Sequence, residues 1–343
     1  MYTIALRYIT FITLLIVTLA CSTEEAGTEG HIILKHEAYP AVAGHDGDFY
    51  LVTQTEALDT ARIHHATDIN GFGNDTTGGA IFTLTDKGLH NMYSPELHRI
   101  DGKWYMYFEA DTNGNTDYHQ LYAFENASDD PREGEWTAHG PIITTDDWNW
   151  AIHPTVFERD GELYMLWSGW EKRRIEAETQ CIFIARMANP WTLESKRVKL
   201  SEPIYEWERQ WIDPDGTRSA YPIYVNENPQ VMISPDNRNI VVCYSASGIW
   251  TVYSTVGMLY APYGSDLLNP KSWTKLSEPQ FLTADGAQYF GASNISYIRD
   301  PKDNRDWLFY QMKYYYDNNW MRKVVALKEI KWNEKGLPEF GKP

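Results

Sequence analysis

Cysteine is nearly missing, with three in 343 residues, too few for the disulfide framework that staples small secreted domains. Basic charge is scarce as well, Lys+Arg 30 against Asp+Glu 47, for a net charge of -17. No Lys/Arg run offers a local positive stripe, so phosphate backbones are repelled and nucleic acid is not an expected partner. Helical periodicity is almost absent, which argues against bundles. What the chain does have is aromatic mass: 14 Trp, 23 Tyr and 12 Phe, more than helix-rich proteins need and suited to sheets packed on sheets. With 43% hydrophobic and 22% charged residues, a sizeable core can be buried, and disorder is excluded. The expected fold class is all-β.

Long apolar runs are also lacking, apart from Tyr8 to Ala20, which follows the single charge of Arg7. That stretch is too short to span a bilayer as a permanent helix and reads as a secretion signal over residues 1–20. It ends in Thr18-Leu19-Ala20-Cys21, which resembles a bacterial lipoprotein cleavage site, with Thr18 where Leu is usual. Cys21 is therefore expected to carry lipid and to make the membrane contact. Ser22-Thr23-Glu24-Glu25 resembles the acidic tag of some surface lipoproteins, and residues 21–30 read as a flexible tether. The expected location is the outer membrane, on the cell surface or its periplasmic face. Cys181 and Cys243 lie in strand-like apolar runs and are expected to be buried, unpaired thiols.

From residue 31 to 343 the chain repeats itself. His45-Asp46-Gly47-Asp48-Phe49-Tyr50, Ile100-Asp101-Gly102-Lys103-Trp104-Tyr105 and Arg159-Asp160-Gly161-Glu162-Leu163-Tyr164 each place a turn before an apolar strand. Weaker copies begin at Asp236 and Asp303, and the Asp-to-Asp steps of 55, 59, 76 and 67 residues leave room for about four strands each. A β-sandwich would also show many short strands, but it would not repeat this unit five times. The pattern predicts a five-bladed β-propeller. Upstream of the turns stand Tyr39-Pro40, Ser94-Pro95, His153-Pro154 and Asn228-Pro229, while the fifth copy lacks the proline. Proline suits the first residue of an inner strand and holds its predecessor extended. Tyr39, Ser94, His153 and the pair Glu227-Asn228 are thus expected to ring an axial cavity, unless they only cap strand ends.

Several of these stretches carry a family resemblance. Tyr93 through Tyr105, Thr155 to Trp170, Asn226-Glu227-Asn228-Pro229-Gln230-Val231, Tyr244-Ser245-Ala246-Ser247-Gly248, Asp266 through Trp273 and the ending from Trp332 look like glycoside hydrolase family 43, nearest its α-L-arabinofuranosidase-like branch. The resemblance covers about residues 36 to 343. It implies a five-bladed propeller that hydrolyses arabinosides or xylosides with inversion, using an Asp as general base, a Glu as general acid and a second Asp that tunes the acid. Glu227 stands at the acid position. Tyr39 stands where the base Asp is usual and His153 where the tuning Asp is usual. Ser293 replaces a His that often helps to hold an axial Ca²⁺ or water, so no metal and no other cofactor is expected.

These departures leave two outcomes open. Hydrolysis is lost and the protein binds glycan without cutting it, because a phenol of pKa about 10 is a poor base. Alternatively the chemistry is rewired: Tyr39 acts as a nucleophile helped by a carboxylate, or another acid replaces the base. Glu37 is the first candidate, since it lies two residues before Tyr39 and shares its side of an extended strand; Glu96 is a weaker one. His153 can be acid, base, sugar ligand or a neutral structural imidazole. As donor or cation it would suit an acidic sugar. Sugar contacts are expected from Ser94, Asn228, Asn294, Trp148 and Trp150, less from Trp167 and Trp170, and from Arg322, which resembles a family Arg that reaches the cavity. The expected partner is an oligosaccharide or polysaccharide, bound by a monomer.

Overall fold

The computed structural model describes residues 30–74, 78–147, 150–171, 178–212, 223–283, 287–314 and 322–343. The signal segment, Cys21 and all of the tether but Gly30 lie outside them.

Each sequence repeat becomes an antiparallel blade, and a short parallel pairing of residues 178–180 with 223–225 joins the third and fourth into one sheet. Strand β1 (His31–Lys35) enters ahead of the first blade, which consists of β2 (Ala38–His45), β3 (Asp48–Gln54), β4 (Thr60–Ala66) and β5 (Ala80–Thr83). The second holds β6 (His90–Ile100), β7 (Lys103–Asp111), β8 (Gln120–Asn126) and β9 (Thr137–Ile142). In the third, β10 (Ala151–Arg159), β11 (Glu162–Trp170) and β12 (Glu178–Asn189) are followed by the short β13 (Thr192–Leu193) and by β14 (Val198–Ser201), both paired to β12. The fourth contains β15 (Ile223–Ile233), β16 (Asn239–Ala246), β17 (Thr255–Pro262) and β18 (Thr274–Lys275). The fifth runs through β19 (Phe290–Arg299), β20 (Asp306–Lys313) and β21 (Lys323–Trp332), with β22 (Pro338–Glu339) attached, and takes β1 as its outer strand, antiparallel to β21. The chain's first strand thereby closes the last blade, tying both ends of the domain together.

The innermost strands β2, β6, β10, β15 and β19 touch one another in a closed ring. Because strand side chains alternate, each blade is apolar on both faces. In β7, Trp104, Met106 and Phe108 pack towards the first blade while Tyr105 and Tyr107 pack towards the third. There is one apolar cluster for each of the five interfaces, which is where the 14% aromatic content goes. Cys181 and Cys243 are free and buried within these clusters, as expected.

The Asp-Gly turns are tight left-handed hairpins: Asp101 and Gly102 have φ of 49° and 78°, and the pairs Asp46-Gly47 and Asp160-Gly161 match them. In the fourth and fifth blades Asn237 and Asn304 supply a single left-handed residue in a longer connection.

The residues before the prolines are not extended. Tyr39, Ser94, His153 and Asn228 have φ of 51°, 44°, 52° and 50°, and Asn294 in the fifth blade, where no proline follows, has 45°. At each of these five positions the pairing of the first and second strands slips, between Ala38/Ala41, Tyr93/Glu96, Ile152/Thr155, Glu227/Gln230 and Ser293/Ser296. A bulge is the physical reason: one extra residue leaves the ladder, its backbone swings to the left-handed region and its side chain is re-aimed. The preference for extended geometry before proline is overridden four times by a device that all five blades share.

The freed amides are caught by the preceding blade. Tyr39 N–H donates to Gln311 Oε1 (3.2 Å), His153 N–H to Glu109 Oε2 (2.9 Å), Asn228 N–H to Ser168 Oγ (3.1 Å) and Asn294 N–H to Ser245 Oγ (2.8 Å). Every acceptor sits on the second strand of its blade, opposite the residue just before that blade's own bulge.

Candidate active site

The bulges surround a cavity of about 220 Å³ on the axis, lined by Tyr39, Tyr93, Glu109, Ile152, His153 and Glu227 from the blades, with Thr116, His119, Trp150, Gln180, Ile249 and Trp250 above them. A larger hollow of about 420 Å³ lies at the hairpin end, around the turn His45–Asp48. It touches none of the five bulge residues and pairs its acids with neighbouring bases, as His45 does with Asp46 at 3.4 Å.

Glu227 is buried on β15. Burial lifts its carboxyl to about 8, Glu178 adding to the rise, while the Ile249 N–H at 3.4 Å and Lys323 oppose it. At neutral pH it holds its proton. His153 is also buried, and burial, helped by His119, pushes its imidazole down to about 3. It is neutral, so it offers a lone pair and an N–H rather than a cation. Nδ1 accepts the Asn228 N–H at 3.2 Å, which leaves the proton on Nε2. Nε2 lies 3.5 Å from Glu109 Oε1, and Nδ1 lies 3.7 Å from Glu227 Oε2. One ring thus stands between two carboxyls.

Tyr39 does reach the cavity. Its ring lies 6.0 Å from that of His153 and edge-on to Tyr93, with Lys323 Nζ 5.5 Å from its centroid. Burial, with Tyr93, Glu227 and Glu109 around it, holds the hydroxyl well above the ordinary phenol range. At neutral pH the phenol keeps its proton.

Glu37 does not reach the cavity. Its carboxylate accepts from Thr53 Oγ1 and pairs with His64 Nε2 at 2.9 Å, directed away from the axis. The expectation rested on strand alternation between residues 37 and 39, and the bulge at Tyr39 breaks that alternation. Glu96 sits lower on the axis, bonded to Gln230 and, at 3.0 Å, to His98. Ser94, Asn228 and Asn294 take their places in the ring without lining the cavity; Asn294 uses its amide on Gln311 (3.3 Å) and Ser245 (3.2 Å). Trp150 lines the mouth, stacked on Trp170 at 4.6 Å and donating its indole N–H to Thr116 O. Trp167 is core, against Phe183. Arg322 is half-buried and is not among the lining residues. Trp148 lies outside the described residues.

Ser293 is buried on β19. Its hydroxyl donates to the Gly291 carbonyl at 3.0 Å, and among the described residues no group of three or more His, Cys, Asp or Glu could hold an ion. Hard cations need several oxygens, carboxylates above all.

Sequence reasoning missed Glu109, His119 and Gln180. His119 Nε2, Gln180 Oε1 and Trp250 Nε1 are buried in the wall without a hydrogen-bond partner. Burial pushes the His119 imidazole down to about 4 against the pull of Asp111, so it too is neutral. The wall presents acceptors, an indole donor and two carboxyls, with no Lys or Arg among the described lining residues.

The profile of Glycosyl hydrolases family 43 matches residues 32–338. The chain belongs to that family. The family 43 match opens in β1 and ends in β22, so the family unit is the whole closed propeller. An extracellular exo-α-(1→5)-L-arabinofuranosidase of Streptomyces avermitilis is 30% identical over 319 residues, 91% of this chain and 63% of that protein. The α-L-arabinofuranosidase B of Pyricularia oryzae is 28% identical over 91% of this chain and 62% of its own length. The chain therefore spans less than two thirds of these two curated relatives. Among solved structures, an α-L-arabinofuranosidase from Lactobacillus brevis superposes with a TM-score of 0.79 at 31% identity, covering 91% of this chain and 97% of that one.

Proposed function

We propose that this chain is a glycosidase that releases arabinose from arabinose-containing glycans, with Glu227 as general acid. The observation that carries the reading is the buried Glu227 carboxyl, protonated at neutral pH in an axial cavity and standing at the position where the family 43 resemblance puts the acid. Proton donation to a departing sugar oxygen requires that state.

The substrate class follows from the wall. A carboxylate-bearing sugar would meet Glu109, Glu227 and two neutral imidazoles, with no cation among the described lining residues to receive it. A neutral pentose brings hydroxyls, which can donate to Gln180 Oε1 and accept from Trp250 Nε1. Of the two grounds for an acidic sugar, a donor or a cation at His153, the neutral imidazole leaves only the donor. A neutral arabinofuranoside, with xylosides next, is the proposed substrate, and Trp150 supplies a stacking face at the mouth.

The test is to incubate the purified protein with arabinan, arabinoxylan and uronic-acid-bearing oligosaccharides and follow free sugar by chromatography. Arabinose released from the neutral substrates is expected. No cleavage of any substrate, with saturable calorimetric binding to one glycan, would identify a non-catalytic glycan-binding propeller instead. The export segment and Cys21 suit a lipid-anchored protein of the outer membrane, and the Streptomyces avermitilis relative is described as extracellular. Cys21→Ala is expected to move the protein from the membrane pellet to the soluble fraction of a bacterial host, and to abolish palmitate labelling. An unchanged pellet and label would reject the anchor.

A further inference from the structure

The proposed hydrolysis lacks a base at Tyr39 and at Glu37, and the fold supplies one elsewhere. We infer that Glu109 is the general base, and that His153 decides which of the two cavity carboxyls carries the proton. This rests on the glycosidase reading above.

The residue that faces the pre-bulge position across each inner hairpin is Gln54, Glu109, Ser168, Ser245 and Gln311 in blades one to five. Gln311, Ser168 and Ser245 catch the next blade's bulge amide with a neutral oxygen. Capping therefore needs no charge. Glu109 does the same for His153 but is the only ionisable member of the set, it is buried, and it lines the cavity with Glu227. A merely structural role would be met by Gln or Ser at far lower desolvation cost.

Hydrogen-bond polarity then separates the two carboxyls. Glu109 faces donors on both oxygens: the His153 amide at Oε2 (2.9 Å) and the protonated Nε2 near Oε1 (3.5 Å). Donors favour the ionised form. Glu227 faces the other side of the same ring, where Nδ1 is a lone pair already engaged by Asn228 N–H, and takes only a long Ile249 N–H. Burial raises both groups; at Glu109 the charges of Glu227 and Glu96 add to the rise and the His153 amide opposes it. Two coupled carboxyls give up one proton well before the second, and the donors on both Glu109 oxygens are the geometric reason for assigning that first loss to Glu109. The groups facing this pair are His153, Tyr39 and Tyr93, with Glu96 below Glu109, and Glu178 and Lys323 beside Glu227.

In the reaction, Glu109 takes a proton from water as the water oxygen bonds to the anomeric carbon. The glycosidic C–O bond breaks, and its oxygen takes the Glu227 proton. Both carboxyls exchange one proton and nothing else is consumed.

The decisive variant is Glu109→Gln, whose amide oxygen can still cap His153 as Gln311 caps Tyr39. Glu109→Ser installs the cap of the third and fourth blades and opens space for a small anion. Both are expected to keep the wild-type thermal midpoint to within a few degrees and to lose about 10²–10⁴-fold in kcat. In Glu109→Ser, azide should restore turnover and yield an arabinosyl azide of inverted configuration. The proposal is overturned if Glu109→Gln turns over at the wild-type rate, or if both variants lose activity only together with their fold and azide restores nothing. A wild-type protein that cleaves no arabinoside removes the glycosidase reading and this proposal with it. An active wild type with Glu227→Gln inactive and Glu109→Gln active removes this proposal alone.

Discussion

Glu227→Gln is expected to lower the release of arabinose from arabinan by about 10²–10⁴-fold, and to lose far less on an aryl arabinoside whose leaving group needs no proton. The contrast is the signature of a missing acid, because a misfolded site would lose both substrates alike. Wild-type turnover should fall as pH rises through about 8, where burial has placed the carboxyl, and that descending limb should vanish in the variant. Stability carries the same information with its own sign. A carboxyl that titrates near 4 when unfolded and near 8 when folded contributes stability fully present below about pH 4 and lost as pH rises through 8. The amide does not titrate. Glu227→Gln should therefore match the wild type in calorimetry near pH 4 and melt above it at pH 8. Full activity of the variant on arabinan would sink the assignment of the acid, whatever the melting curves show.

Much of this site was legible in the residues, and what was not has a physical cause. The Asp-Gly turns of Asp46, Asp101 and Asp160 announced the blades, and the prolines after Tyr39, Ser94, His153 and Asn228 marked one ring. Strand alternation then failed at that ring, because every ring residue is a bulge. This is why Glu37 was expected in the cavity and instead pairs with His64. It is also why the residues before proline were expected to be extended. Glu109 was legible in principle. Seven residues beyond the turn glycines Gly47, Gly102 and Gly161 stand Gln54, Glu109 and Ser168, a polar residue at a fixed step inside an otherwise apolar strand. Periodicity showed the strands, but only the closed ring shows that this step points to the axis. The charge state of His153 could not be read from its type, since a surface imidazole and one sealed among Glu109, Tyr39 and Glu227 titrate far apart.

The largest loss of stability is expected from a residue outside the cavity. Glu208 is fully buried, and its oxygens accept from Lys275 Nζ (2.6 Å), Tyr244 Oη (2.8 Å), Asn226 Nδ2 (2.9 Å) and the backbone N–H groups of Ile204 (2.8 Å) and Tyr205 (2.9 Å). Glu208→Ala removes the buried anion of a partly exposed Lys275 and leaves the donors of Tyr244, Asn226 and two backbone amides unmet; breaking a fully buried pair costs about 3–5 kcal/mol, and the loss here is expected at the lower end of that range. The midpoint of urea unfolding should fall with its slope unchanged. A second variant, Glu208→Leu with Lys275→Met, removes both charges and should recover most of that loss, since an apolar pair of similar size needs no desolvation of ions. Activity should not follow. Asn226 directly precedes Glu227, and its amide is held by Glu208 on one side and by Ser201 Oγ (2.6 Å) and Lys275 Nζ (3.1 Å) on the other. With those two anchors gone, β15 loses part of the frame that aims its bulge, so the double variant is expected to be stable and slow. A single variant that unfolds at the wild-type urea concentration would show that the ion pair adds nothing. A double variant with full turnover would show that Glu227 is held by its own bulge alone.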